Sequence, residues 1–138
     1  MTAKIVRVKP RRRRVSRRAK RGDYTSTKTG QTHRFRSMWE CKYMQHLDAD
    51  PSVKTWGYEC LEIRYVSAPR SGRVRVYLPD FLVETTDGRR IVVEIKPAKR
   101  VDRPTNVKKF AAARAWCLAS KAEFCVVTEV ELKAQGIL

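Results

Sequence analysis

Long apolar runs are missing from this sequence of 138 residues. No stretch approaches the ~18 consecutive apolar residues of a membrane-spanning helix, which argues against a helical membrane protein. Basic residues open the chain, but the apolar segment of a secretory signal peptide does not follow them. We therefore expect a soluble, intracellular protein, located in the cytoplasm and without membrane contacts.

Cysteine and histidine are scarce, with four cysteines and two histidines. The cysteines show no CxxC pair and no cysteine–histidine zinc spacing, so we expect free thiols that mostly fill the core. His33 and His46 are too few for a histidine-based metal site. A Walker A loop, a GxGxxG motif and a Ser-His-Asp order are also absent, which argues against the enzymes built on them.

Acidic residues are few, 14 against 31 lysines and arginines, which gives a net charge of +17 at pH 7. Such an excess indicates a polyanionic partner, of which nucleic acid is the commonest. Residues 1–36 hold fourteen of the basic residues and one acid, Asp23. Most of the net charge therefore lies in the first quarter of the chain.

The basic residues are densest between Arg11 and Arg21, where almost no apolar side chain is available for burial. Because like charges at this spacing repel, we interpret residues 1–22 as a flexible basic arm and residues 23–138 as the folded domain. The arm is predicted to contact nucleic-acid phosphates, and a solubilising or targeting tail is the alternative. The predicted contacts are Arg11, Arg12, Arg13, Arg14, Arg17, Arg18, Lys20 and Arg21, together with Lys108 and Lys109, which could equally form a solvated helix face.

Hydrophobic periodicity predicts an α/β fold in the order α-β-β-β-α-β, a mixed sheet flanked by helices. The first helix begins after Ser37, a predicted N-cap with Glu40 at the capping-box position, and Asp48 and Asp50 are expected to cap its end. The main strands are predicted over residues 59–67, 73–85, 91–96 and 124–128, and the second helix over 104–120. A short strand at 53–56 and a short helix at 130–135 complete the prediction.

Candidate chemistry is concentrated at Asp80, Glu94 and Lys96. Glu94 and Lys96 lie two positions apart on one predicted strand and share a face, and a hairpin turn at residues 87–88 would bring Asp80 beside Glu94. Apolar neighbours on both faces indicate a buried strand, where a carboxylate and a lysine need a partner. Oxygen ligands of this kind suit Mg²⁺. The alternative is an ordinary surface pair of Glu94 and Lys96.

The order of these residues resembles the PD-(D/E)XK nuclease superfamily, through Pro79-Asp80 and Glu94-Ile95-Lys96. The sequence is most similar within it to the TnsA-like group, the endonuclease subunit of certain transposons. The similarity covers about residues 34–129. Its motifs are SMWE at 37–40, DADPSV at 48–53, YLPDFLV at 77–83, VEIKP at 93–97 and FCVVTE at 124–129.

That resemblance implies a restriction-endonuclease-like fold and a magnesium site, with Mn²⁺ as an alternative ion. Asp80, Glu94 and the Ile95 carbonyl would bind the metal, and Lys96 would serve the attacking water. Glu40 would complete the acidic cluster, as a catalytic and metal-binding residue. The sequence lacks the carboxy-terminal domain of the transposon subunit and adds the basic arm, which favours a free-standing, phage-encoded or resolvase-like nuclease in a bacterial or phage-infected cell.

Two functions are compatible with these features. The first is a metal-dependent DNA endonuclease, with nicking and structure-selective cleavage both open. The second is a non-catalytic basic nucleic-acid-binding or packaging protein. Buried carboxylates favour the first, because a phosphate-binding protein gains nothing from them without a metal. DNA is the expected partner, and cleavage of two strands would favour a homodimer or a protein partner.

Overall fold

The computed structural model describes residues 3–5 and 20–138. Over these residues the strands are Ala3–Ile5 (β1), Gly22–Thr25 (β2), Thr32–Phe35 (β3), Val53–Tyr58 (β4), Leu61–Ala68 (β5), Arg73–Tyr77 (β6), Phe81–Thr85 (β7), Arg90–Ile95 (β8) and Glu123–Val127 (β9). The helices are Met38–Ala49 (α1), Ala98–Val101 (α2), Pro104–Ser120 (α3) and Glu129–Ala134 (α4). None of these helices is long and apolar enough to cross a membrane.

The central sheet has four strands in the order β4-β7-β8-β9. β7 runs antiparallel to both β4 and β8, whereas β9 runs parallel to β8, so the predicted mixed sheet is confirmed. The turn at residues 87–88 joins β7 to β8 as predicted, and Gly88 supplies the left-handed conformation there with a φ of 86°. This hairpin places the start of β7 beside the end of β8.

Apolar layers cover both faces of the central sheet. On one face Leu47 of α1 packs in a cluster with Val93 of β8. On the other face α3 and the three-stranded sheet β1-β5-β6 contribute Phe110 and Ile63, which cluster with Val92. Because successive residues of a strand point to opposite faces, β8 is buried on both sides, as its apolar run predicted.

The two long helices begin where the sequence predicts, after Ser37 and at Pro104. Ser37 caps α1 as predicted, since its Oγ accepts a hydrogen bond from the Glu40 N–H at 3.2 Å. The Glu40 carboxylate does not complete a capping box with Ser37; it accepts a hydrogen bond from the Arg36 N–H at 2.6 Å. Pro104 occupies the first turn of α3, where its missing N–H costs nothing.

The segment 73–85, predicted as one strand, is divided into β6 and β7, which lie in different sheets. Pro79 interrupts the segment because it has no N–H for a strand ladder. The Asp80 carbonyl accepts a hydrogen bond from the Glu59 N–H at 2.8 Å, in the turn between β4 and β5. Asp80 therefore precedes β7, and the prediction of one continuous strand through Asp80 is wrong.

The hairpin formed by β2 and β3 is a second difference, because the prediction placed no strand before the first helix. Its sequence is mostly polar, so hydrophobic periodicity does not reveal it. β1 lies within the predicted arm and pairs antiparallel with β5. Most of the predicted arm contacts lie outside the described residues, namely Arg11, Arg12, Arg13, Arg14, Arg17 and Arg18.

Asp48 anchors the β2–β3 hairpin to α1, whereas Asp50 is the C-cap of that helix. The Asp48 carboxylate accepts five hydrogen bonds, from Tyr24 Oη (2.6 Å), Ser26 Oγ (2.6 Å), Thr27 N (2.9 Å), Thr27 Oγ1 (3.4 Å) and Trp56 Nε1 (2.9 Å). Burial opposes its ionisation, but the hydrogen bonds outweigh burial and lower the pKa of Asp48 to about 2. The prediction that Asp48 caps the helix end is therefore wrong.

We expect Asp48→Ala to lower the free energy of unfolding by about 2–4 kcal/mol, because several partly buried donors lose their acceptor. A carboxylate with a lowered pKa stabilises the fold above the pKa of an unfolded aspartate, about 4, and loses this contribution as the pH falls toward 2. Urea unfolding should show a larger difference from wild type at pH 7 than at pH 3. Asp102→Ala, at an exposed position that ends α2, is the control. An undiminished difference at pH 3 would contradict this role of the ionised carboxylate.

Candidate active site

Asp80 and Glu94 meet where β7 begins and β8 ends. Phe81 is paired with Val93, so the residue before β7 lies beside Glu94. The Asp80 N–H donates to Glu94 Oε1 at 3.2 Å, and the Ile95 N–H donates to Asp80 Oδ2 at 2.8 Å. Each carboxylate thus accepts a hydrogen bond from a backbone N–H of the neighbouring segment, which ties the two segments together at the site.

Both carboxylates are withdrawn from solvent, with Glu94 buried and Asp80 half-buried. Burial, and then the charges of Glu94 and Glu40, raise the pKa of Asp80 well above its ordinary value. Burial also raises the pKa of Glu94, although the nearby Lys96 ammonium opposes this. Such a pair is costly when both members are ionised, and a proton or a bound cation would relieve the repulsion.

Lys96 shares a face of the sheet with Glu94, as its spacing predicted. Its Nζ lies 3.4 Å from Glu94 Oε2, and the two side chains are 23% and 6% exposed. The Lys96 N–H donates to the Val127 carbonyl at 2.9 Å, which extends the pairing of β8 with β9. The low exposure of Glu94 does not fit the alternative of an ordinary surface ion pair.

Glu40 approaches the pair from α1. It is buried, and its carboxylate accepts hydrogen bonds from the Arg36 N–H at 2.6 Å and from Tyr58 Oη at 3.2 Å. Within the described ranges, no three histidine, cysteine, aspartate or glutamate side chains form a group that could hold a metal ion. Glu40 thus lies near Asp80 but outside a common ligand set, and its catalytic and metal-binding role stays a prediction.

Without Glu40, the remaining oxygen ligands are those that a hard divalent cation prefers. Asp80 and Glu94 supply carboxylate oxygens, and the Ile95 carbonyl lies at the end of the same strand as Glu94. Mg²⁺ keeps several of its waters and needs only one or two protein carboxylates, so a full protein cage is not required. Burial and the negative charges of Glu94 and Glu40, which together raise the pKa of Asp80, also fit a position for a cation.

A cleft of about 1880 Å³ opens over this pair. The predicted site residues Glu40, Asp80, Glu94, Ile95 and Lys96 all line it. Basic side chains dominate the charged part of the remaining lining: Arg36, Arg73, Arg75, Lys99, Arg100, Lys108, Lys109 and Lys133. A cleft with this lining attracts a polyanion toward the carboxylates at its floor.

Sequence reasoning identified two of these basic residues, Lys108 and Lys109. Lys108 Nζ donates to the Ser67 carbonyl at 2.7 Å, and Lys109 Nζ lies 5.7 Å from the centre of the Tyr77 ring. The other basic lining residues come from separate elements that only the fold brings together. Lys20 and Arg21 lie just before the hairpin and do not line the cleft; both are exposed.

Tyr77 is a neighbour of the site that sequence reasoning missed. It is 3% exposed, and burial together with the charges of Glu94 and Asp80 raises the pKa of its hydroxyl. The hydroxyl therefore stays protonated and available as a donor beside Glu94. The alternation of arginine and valine in β6 leads to Tyr77, but nothing in that pattern distinguishes it from a core residue.

Comparison with known proteins places the same residues in a nuclease family. The model of the TnsA-like endonuclease N-terminal family matches residues 50–129, which include Asp80, Glu94 and Lys96. The head completion nuclease of Enterobacteria phage T4 is 27% identical over 124 residues, an alignment that covers 74% of this chain and 82% of that protein. The resemblance drawn from the motifs is confirmed, and the mixed sheet with flanking helices is restriction-endonuclease-like. The chain belongs to the TnsA-like endonuclease N-terminal family.

Proposed function

We propose that the chain is a divalent-metal-dependent DNA endonuclease that hydrolyses phosphodiester bonds at the Asp80–Glu94 pair. The observation that carries this proposal is a carboxylate pair, one member buried and the other half-buried, beside a lysine in a basic-lined cleft. Family membership and the similarity to a phage head completion nuclease support it. The alternative of a non-catalytic packaging protein gives the buried carboxylates no use.

Asp80, Glu94 and the Ile95 carbonyl are the proposed ligands of Mg²⁺, with Mn²⁺ as an alternative ion. When bound, the ion polarises the phosphate and lowers the pKa of a water molecule. The backbone N–H groups of Asp80 and Ile95 orient the two carboxylates. Lys96, whose ammonium lies beside Glu94, orients the attacking water or balances the negative charge that develops on the phosphate.

The single experiment that tests this function is a cleavage assay with supercoiled, linear, single-stranded and branched DNA, with and without Mg²⁺. We expect cleavage of at least one of these substrates with Mg²⁺ and none in EDTA. Conversion of supercoiled DNA to the open circle would indicate nicking, direct conversion to the linear form would indicate paired cuts, and preference for the branched substrate would indicate structure selectivity. Tight binding of every substrate without cleavage in Mg²⁺ or Mn²⁺ would favour the packaging alternative.

Metal binding has a second test that does not depend on activity. We expect millimolar Mg²⁺ or Mn²⁺ to raise the melting temperature of the DNA-free protein, because a ligand that binds only the folded state adds stability of RT ln(1 + [L]/Kd). Asp80→Asn and Glu94→Gln should remove most of this increase, whereas Asp102→Asn should retain it. An equal increase in all four proteins would place the cation elsewhere.

A further inference from the structure

A buried ion pair lies at the edge of the candidate site, and the proposed mechanism does not use it. The Arg36 guanidinium is paired with the Glu59 carboxylate, and their side chains are 15% and 6% exposed. A buried pair of this kind stabilises a fold little, because two charges must leave water before they attract each other. The position of the Arg36–Glu59 pair next to Asp80 and Glu40 indicates a role in the site and not in fold stability.

Each partner of the ion pair is joined through its backbone to an acidic residue of the site. The Glu59 N–H donates to the Asp80 carbonyl at 2.8 Å, and the Arg36 N–H donates to Glu40 Oε2 at 2.6 Å. Tyr58, next to Glu59, adds a hydrogen bond to Glu40 Oε1 at 3.2 Å. The pair therefore connects the segment that carries Asp80 with the beginning of the helix that carries Glu40.

Glu59 also holds a backbone conformation that its side chain does not favour. Its φ is 48°, in the left-handed region, where the side chain of a residue other than glycine strains the backbone. A glycine would occupy the turn between β4 and β5 at lower cost. A buried, paired glutamate at this turn therefore indicates that its carboxylate has a role other than closing the turn.

We propose that the Arg36–Glu59 pair is a positioning device that fixes Asp80 and Glu40 relative to each other at the floor of the cleft. This inference rests on the proposed nuclease function and adds two positioning residues to it. Arg36 lines the cleft, whereas Glu59 lies behind the lining. The two partners therefore allow positioning to be separated from direct contact with DNA.

The test uses Glu59→Gly, which removes the carboxylate, relieves the left-handed strain and keeps the N–H that faces Asp80. We expect its Mn²⁺ dissociation constant, measured by calorimetry without DNA, to rise about tenfold or more, and its kcat to fall by a similar factor. Its KM and its metal-free affinity for duplex DNA should stay within about twofold of wild type. Glu59→Gln, which keeps an acceptor for Arg36, should recover most of the loss. Asp23→Gly, which removes the exposed Arg34–Asp23 pair on the hairpin, is the matched control.

Arg36→Lys tests the positioning role independently. It keeps the inference testable even if Glu59→Gly does not fold. Weaker Mn²⁺ binding with unchanged DNA affinity would support positioning, because lysine keeps the charge but loses the planar fork. A loss confined to DNA affinity would make Arg36 a phosphate contact and overturn the inference. Wild-type Mn²⁺ affinity and kcat in Glu59→Gly would also overturn it, while the proposed function stands as long as the wild type cuts DNA. A wild type that neither binds Mn²⁺ nor cuts DNA would overturn the proposed function itself.

Discussion

Asp80→Asn, Glu94→Gln and Lys96→Ala should each slow DNA cleavage by a factor on the order of a thousand or more, with duplex binding within about twofold of wild type. In the proposed mechanism the two carboxylates hold the ion and the lysine serves the water, so their loss would remove stabilisation of the transition state. The basic lining of the cleft and the arm are the proposed source of most of the attraction for DNA. The expected signature is therefore a fall in kcat with little change in affinity.

Single-turnover cleavage of the best substrate measures the chemical step, and a binding assay in EDTA measures affinity apart from it. Asp102→Asn is the matched control, because it removes an acidic charge at an exposed position outside the cleft lining. Glu40→Ala should impair cleavage less than Asp80→Asn, since the Glu40 oxygens already accept hydrogen bonds from Arg36 and Tyr58. If all three catalytic variants cut at the wild-type rate, the assignment of the site is wrong.

The hairpin that carries the site was accessible from the sequence because its signals are local. The apolar run of β8 indicated burial on both faces, and the spacing of Glu94 and Lys96 placed them on one face. The glycine turn before β8 predicted the pairing that brings Asp80 beside Glu94. Capping signals likewise located the start of α1 at Ser37 and of α3 at Pro104.

The parts that the sequence did not reveal depend on contacts between distant residues. The polar β2–β3 hairpin is held by Asp48, which lies 24 residues after Tyr24 in the chain. Where segment 73–85 is divided, the Asp80 carbonyl accepts a hydrogen bond from the distant Glu59, and the Arg36–Glu59 pair joins two loops. None of these partners is marked by periodicity, since each follows from how the elements pack. Most of the basic lining of the cleft was missed for the same reason, and only Lys108 and Lys109 were predicted as contacts.

Substitutions in the basic arm should have the other large effect, on DNA binding and not on the cleavage step. We expect replacement of its six central arginines with glutamine to weaken DNA binding and to flatten its dependence on salt. Removal of one arginine–phosphate interaction on duplex DNA lowers the magnitude of the slope of log K against log salt by about 0.9, so full engagement of all six would lower it by about 5. We expect a decrease of several units, because not every arginine need bind a phosphate. The substituted positions are Arg11, Arg12, Arg13, Arg14, Arg17 and Arg18.

Substitution is a better test than truncation here, because β1 lies before these residues and pairs with β5. Binding of one duplex is measured across a salt series, with circular dichroism to compare the folds.

A matched variant with lysine at the six positions keeps the charge and should keep the wild-type slope. This control separates electrostatic attraction from a requirement for arginine itself. The cleavage rate at saturating DNA should change little in either variant, because the proposal assigns affinity to the arm and chemistry to the Asp80–Glu94 pair. Equal salt slopes for the glutamine variant and the wild type would mean that the arm does not touch DNA in this complex, and would favour a targeting or solubilising role for its charge.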